Sequence, residues 1–308
     1  LDDPETIRMF QEVKTLGVPE FGTHFVRQVL TEARVRNFGD IVKICGLTHG
    51  TDVWNNNARD LVQKGVNFSE VITMRDDILI YLVHCGVSEK DAFEIMEKVR
   101  KGKTLGDKQV AMLKDHGVPD WYIESCRKIK YLFPKAHAVA YAVMAFQIAY
   151  FKVHLPLAFY ATYFSIRPDV FDYDNMVAGR EGIGKKMNYI NNLPREEKSK
   201  RLIDLAGVLE VALEMCEKGL EFYPLSLDGS DSAIFKIYGE EGLICPFSAL
   251  DGVGTQAAMG IVESRKDRPF SSIEDLQQRA KLNKTVIETL RRARVLRDLP
   301  ETEQLQLF

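Results

Sequence analysis

A mainly α-helical fold, with a multi-helix first half, one small β hairpin and a closing run of helices joined by tight turns, is predicted by three features of the sequence. Apolar residues recur at helical spacing behind capping residues through the first half, β-like runs are confined to residues 222–244, and from Ser248 onward short helical segments return around glycine- and lysine-bearing turns. With 308 residues, 45% of them hydrophobic and 28% charged, the chain has ordinary globular composition and enough length for two or three domains.

The elements follow in order. Asp3 is a helix cap and Pro4 fits the first helical position behind it. Ser88-Glu89-Lys90-Asp91 reads as a capping-box start, after which Ala92, Ile95, Met96 and Val99 share one face. A further helix starts at Asp120 and turns Ile123, Cys126 and Ile129 inward, leaving Arg127, Lys128 and Lys130 to water, until Phe133-Pro134 stops it. Pro134 then launches the most apolar stretch, Ala136 to Phe151. At 16 residues this stretch is short of the roughly 20 that span a bilayer, so a buried helix, and no membrane, is expected. Near residue 166 the composition shifts through Arg167-Pro168-Asp169 to a Gly- and Lys-rich stretch and Leu193-Pro194, which reads as a connector over 166–220 that ends in the amphipathic helix Leu205 to Glu217. A small β element fills 221–247, with runs at Ala233–Tyr238 and Leu243–Ile244 separated by Gly239-Glu240-Glu241-Gly242. Helices occupy 248–298, and 299–308 is a short polar and apolar tail.

The net charge of −3 argues against a general polyanion binder, but the average conceals a basic region. From Lys98 to Lys152 there are 11 Lys/Arg against 4 Asp/Glu, which leaves about −10 on the rest of the chain. The five cysteines, Cys45, Cys85, Cys126, Cys216 and Cys245, are scattered, odd in number and without a CxxC, as expected for reduced thiols in the cytoplasm rather than disulfides or a metal cage. The opening Leu1-Asp2-Asp3, without an initiator Met or a signal-peptide pattern, reads as the start of a piece of something longer.

Chemistry is most visible near the end. In Leu250-Asp251-Gly252-Val253-Gly254-Thr255, two glycines one residue apart let the backbone turn tightly before a helix whose free N–H groups point outward, a seat for phosphate. A second turn, Lys281-Leu282-Asn283-Lys284-Thr285, precedes another helix, so the segment resembles a paired helix-hairpin-helix module that grips duplex backbone without reading bases. That second turn lacks the G-x-G pattern and offers lysines instead; cations at 265, 266, 279, 281 and 284 add to the footprint. An ordinary helix-turn-helix packing unit is the plain alternative. The terminal Gln304-Leu305-Gln306-Leu307-Phe308 resembles a bacterial sliding-clamp-binding peptide, with Gln304 at a pocket rim and Leu305, Leu307 and Phe308 as apolar anchors. Lys135 and His137 stand at the head of the apolar helix, where cations beside a helix N-terminus suit a triphosphate; a core histidine and a snorkelling lysine fit the same pattern.

Phe21-Gly22-Thr23, then Gly46-Leu47-Thr48-His49-Gly50-Thr51-Asp52-Val53-Trp54, then Phe133 to Tyr141, the glycine hairpin and the terminal peptide occur in an order that resembles the C-terminal part of the PolC-type replicative DNA polymerase III alpha subunit, over nearly the whole chain. The resemblance implies that residues 1–165 are fingers, that Cys45, Gly46 and His49 lie near the nascent base pair, and that Lys135, His137 and Tyr141 lie near the incoming dNTP, with Arg27 a further phosphate contact. Cys45 stands where the family has Ser, so a hydroxyl contact to the base is not assumed. It also implies primer-template DNA, the sliding clamp and the remainder of the polymerase chain as partners in a cytoplasmic replisome. Nucleotidyl transfer needs carboxylates holding two metal ions, which the family carries in an upstream palm. No catalytic residue, metal ligand or cofactor is therefore expected in this chain, Mg²⁺ belongs to the absent palm, and the chain alone is expected to be inactive. Asp172-Tyr173-Asp174 imitates a metal pair but reads as a solvated acidic turn, and Gly179 to Lys186 nearly fits a P-loop but, with Lys186 in place of Ser or Thr and no preceding strand, reads as a basic linker. A helical DNA-binding accessory protein that binds the clamp is the alternative; it leaves Lys135 and His137 unexplained.

Overall fold

The computed structural model describes residues 1–302, so the expected clamp residues Gln304, Leu305, Leu307 and Phe308 lie outside the described residues. The chain forms two compact units, Leu1–Val153 and the residues from His154 onward.

The first unit is built from helices α1 (Pro4–Gln11), α2 (His24–Ala33), α3 (Phe38–His49), α4 (Arg59–Gln63), α5 (Arg75–His84), α6 (Glu89–Arg100), α7 (Asp107–Asp115), α8 (Asp120–Lys128) and α9 (Lys135–His154). Local chemistry sets several starts as the sequence predicts. Asp3 accepts from the Thr6 N–H at 2.8 Å ahead of Pro4, and Ser88 accepts from the Asp91 N–H at 3.2 Å while Ala92, Ile95, Met96 and Val99 turn inward. Phe10, Phe21, Ile41, Ile44, Leu82 and Leu132 are among the residues of one continuous core.

Helix α9 is buried along one face rather than all round. It runs 20 residues, long and apolar enough by length and composition to cross a membrane. Its buried stripe is Ala138, Ala142, Ala145, Phe146, Ala149 and Lys152, whereas Tyr141, Met144, Tyr150 and Phe151 are exposed. Four alanines on the packed side let the helix come close to its neighbours, with Phe146 and Lys152 the large side chains buried there. The Lys152 ammonium, 1% exposed, donates to the carbonyls of Lys14 (2.9 Å) and Leu16 (2.6 Å), tying the end of α9 to the segment after α1, as befits a helix packed in a core.

The second unit holds α10 (Pro156–Ser165), α11 (Tyr173–Val177), α12 (Gly179–Asn192), α13 (Lys200–Glu217), strands β1 (Glu221–Tyr223), β2 (Lys236–Tyr238) and β3 (Gly242–Ile244), and α14 (Thr255–Ser264), α15 (Ile273–Arg279) and α16 (Lys284–Arg292). The division after Val153 puts α10 with this unit rather than with the first half, because Phe164 packs on Phe171, Phe222 and Phe235 at ring separations of 6.2, 4.9 and 5.8 Å. The expected hairpin exists: β2 and β3 are antiparallel about Gly239, whose φ is +63°. It makes two of the three strands of the sheet, since β1 adds parallel to β3 in the order β1-β3-β2. A Cβ on Gly242 would meet the Glu221 carbonyl at 2.3 Å, so β1 lies that close only because residue 242 is glycine.

Two readings of the connector are corrected. Gly179 to Lys186 is the start of α12, not a linker: a helix leaves no loop to cradle phosphate, and Gly182 lies against the Asn175 carbonyl, where a Cβ would come within 2.3 Å. Nor is Asp172 a freely solvated acid. It caps α11 by accepting from the Asn175 N–H at 3.3 Å and pairs with Lys186 at 3.1 Å.

Candidate nucleotide and nucleic-acid interfaces

In the first unit, backbone pairing unites two motifs that are far apart in sequence. Thr51, just after α3, bridges to Tyr131: the Thr51 N–H donates to the Tyr131 carbonyl at 3.0 Å, and the Thr51 carbonyl accepts from the Lys130 N–H at 3.0 Å. Gly50 permits this, because a Cβ there would meet the Tyr131 carbonyl at 2.9 Å and Val53 at 2.3 Å. The bridge lays the end of α3 beside the start of α9. His49 then stacks on Phe133 (4.8 Å, 25°) and on Tyr141 (5.6 Å, 6°), and His137 meets the edge of Phe133 at 5.8 Å. His49 is fixed from both sides, with Nδ1 2.7 Å from the Cys45 carbonyl oxygen and Nε2 3.1 Å from Glu20 Oε2; a protonated ring would donate to both.

Of the residues singled out in the sequence, His49, His137 and Tyr141 thus converge around Phe133, with His137 and Tyr141 exposed; Lys135 is exposed at the start of the same helix. The first free N–H of α9, that of Lys135, donates to Asp76 Oδ2 at 2.9 Å. Cys45 and Gly46 lie beneath this group. The Cys45 side chain is buried, and burial, with the Glu20 charge adding, pushes its thiol up to about 12. Gly46 packs on residues 73 and 74, where a Cβ would meet Met74 Cγ at 2.4 Å and the Thr73 carbonyl at 2.8 Å. Arg27 is half-buried on α2. Sequence reasoning missed Glu20 and Lys43. Burial holds the Lys43 ammonium below its ordinary range, against the pull of Asp77 and Asp40, and the like charge of Lys135 lowers it further. Neither carried a sequence signal, since each matters only through contacts made by the fold. Exposed cations beside an exposed aromatic ring at a helix start are equipped to hold a polyphosphate and to stack a planar group.

In the second unit the glycine turn precedes α14. Gly252 has φ +98°, a conformation that favours glycine, and a Cβ there would meet Thr289 Oγ1 of α16 at 3.3 Å, so the two hairpins pack together at this point. Gly254 has an ordinary φ of −70° and open space around it. It caps α14 without a side chain, so the first N–H groups of that helix have no side-chain cap. Gly252, Gly254 and Thr255 are exposed, while the Val253 side chain is buried and contributes backbone only. The second turn is closed by Lys281 at φ +53° and by Asn283, which caps α16 by accepting from the Val286 N–H at 2.9 Å; Lys281, Lys284 and Thr285 are exposed.

Several of the expected cations are already engaged. Arg279 pairs with Asp275 at 3.0 Å, donates to the backbone carbonyls of Ser264, Pro269 and Arg268, and lies over the Phe270 ring. Arg265 donates to the Leu227 carbonyl at 2.6 Å, and Lys266 pairs with Glu263 at 2.7 Å. The positive charge left to this face of the turns is that of Lys281 and Lys284.

Two family models match the chain. Residues 1–116 match the bacterial DNA polymerase III alpha subunit finger domain, and residues 219–305 match a helix-hairpin-helix motif. Three relatives align with all of the chain: the DNA polymerase III PolC-type proteins of Caldanaerobacter subterraneus (49% identical), Thermotoga maritima (47%) and Bacillus subtilis (47%). The chain matches a segment of PolC-type DNA polymerase III. It spans 23, 23 and 22% of the length of those three PolC proteins. The likeness to PolC includes the segment from Phe133 to Tyr141 and helix α13, both of which lie outside the two domain matches.

Proposed function

We propose that the chain is the fingers, duplex-holding and clamp-binding part of a bacterial replicative DNA polymerase. In this reading Lys135 and His137 take the phosphates of the incoming dNTP, and Tyr141, held by the His49 ring, lies against its base or sugar. The paired hairpins hold product duplex through its backbone, by Gly252 to Thr255 and by Lys281, Lys284 and Thr285, and Gln304 to Phe308 bind the sliding clamp. The catalytic carboxylates and Mg²⁺ are assigned to the remainder of the polymerase chain, so this chain alone should not polymerise, and the whole acts in the cytoplasm. The observation that carries the reading is the convergence of His49, Phe133 and Tyr141, which comes from two separate sequence motifs, with His137 exposed against it and Lys135 exposed at the start of the same helix. The test is Lys135→Ala in an intact polymerase carrying this segment. The KM for dNTP should rise by roughly tenfold or more, the loss of one charge-assisted phosphate contact, with primer-template affinity nearly unchanged. Equal loss of both would overturn the nucleotide assignment.

A further inference from the structure

Helix α13 lies outside the matched helix-hairpin-helix segment, yet its first turn reaches the glycine hairpin. Arg201 Nη2 is 3.4 Å from Asp251 Oδ1, and Asp251 immediately precedes Gly252; the two side chains are 65% and 86% exposed. Lys200 and Arg201 line one side of a cavity of about 750 Å³ whose other side is Gly252, Val253 and Gly254. Arg201 also borders an adjoining cavity of about 510 Å³, together with Thr289 and Arg292 of α16. This one guanidinium therefore stands on a rim that both hairpins share.

We infer that Arg201 is a DNA-backbone contact supplied from outside the hairpin module, held ready beside the glycine turn by Asp251 and transferred to a phosphate when duplex arrives. The inference rests on the duplex-holding reading above. An exposed ion pair is exchanged readily, and the planar guanidinium fork matches phosphate as well as it matches carboxylate. The larger cavity also contains Asp169 and Asp204. With Asp251, these carboxylates disfavour any anion inside the cavity, so the phosphate that Arg201 meets belongs on the rim, where the side chain is exposed. Arg201 thereby replaces part of the charge that Arg265 and Arg279 spend on backbone carbonyls.

The experiment measures anisotropy of a fluorescein-labelled, mixed-sequence duplex of about 20 base pairs with the full chain across a KCl series. Arg201→Gln should reduce the slope of log K against log salt by about 0.9, the release of one phosphate's counterion, and weaken low-salt binding several-fold. Arg201→Lys should keep the slope, and Asp251→Asn should bind more tightly than wild type. Lys218→Gln, at the far end of α13 and about 26 Å away by helical rise, removes the same charge and should change neither slope nor affinity. Inorganic phosphate should compete no better than chloride at equal ionic strength. A wild-type slope in Arg201→Gln, or equal losses in the Gln and Lys variants, overturns the inference alone. Failure of the wild-type chain to bind duplex overturns the reading of the hairpins, and this inference with it.

Discussion

Asp275→Asn tests whether the arginines of the hairpin module are structural. The Asp275 side chain is 8% exposed and accepts four hydrogen bonds: two from Arg268 (3.1 and 2.8 Å), one from Arg279 (3.0 Å) and one from the Ser271 N–H (3.1 Å). Burial alone would raise its pKa; the Ser271 N–H and the guanidiniums of Arg279 and Arg268 outweigh that, and the carboxyl sits below its ordinary value. Asparagine keeps one acceptor oxygen and loses the charge and the fork. A hydrogen bond to a charged group contributes about 1.5–3 kcal/mol, but the bonds from Arg268, half exposed, count for little. The loss should be about 2 kcal/mol at pH 7, which lowers the melting temperature of a unit of this size by about 4–8 °C. Because the folded pKa is depressed, this stabilisation is present above the unfolded carboxylate value near 3.9 and is lost as pH falls through the folded value. Urea melts of the two proteins followed by circular dichroism should differ at pH 7, and the difference should shrink as pH falls below the unfolded carboxylate value near 3.9. A difference below about 0.5 kcal/mol at pH 7, within the range of an ordinary surface change, would refute the structural role.

Two further outcomes are expected. Gly254→Val has room for its side chain and an ordinary φ, so the melting curve should move little, while duplex affinity falls roughly tenfold for every sequence alike because the backbone can no longer approach phosphate; a large loss of stability, or unchanged affinity by anisotropy, contradicts this. Calorimetry with a bacterial sliding clamp should show binding that disappears when Gln304 to Phe308 are removed, and persistence without them would place the clamp contact elsewhere.

Where structure is decided within a few residues, the sequence was legible. Asp3, Ser88 and Pro134 each act within one helical turn of themselves, and the turn at Gly239 is set by its own φ. Legibility fails where a side chain's partner is distant. Nothing near His49 announces Glu20, Phe133 or Tyr141, which are brought to it by the fold and the Thr51 bridge. Counting charge misleads for the same reason, since Arg279 reads as a DNA contact until Asp275 and three carbonyls are seen to hold it. The apolar run of α9 is buried along one stripe only, because composition does not tell which face the alanines occupy. The near-P-loop string, which reads as a linker, is helical instead, and of its three glycines it is Gly182 that packs closely, against Asn175.

The sheet order β1-β3-β2 constrains the sequence of events in folding. The β2–β3 hairpin closes through a local turn, an event of microseconds, whereas β1 pairs across the outer edge of β3 and must bridge the intervening residues. The edge that β1 needs exists only once residues 242–244 are extended, so the hairpin acts as a template and β1 arrives second, bringing the end of α13 with it. Phe222 lies on β1, so its ring contacts with Phe164, Phe171 and Phe235 depend on that strand being paired.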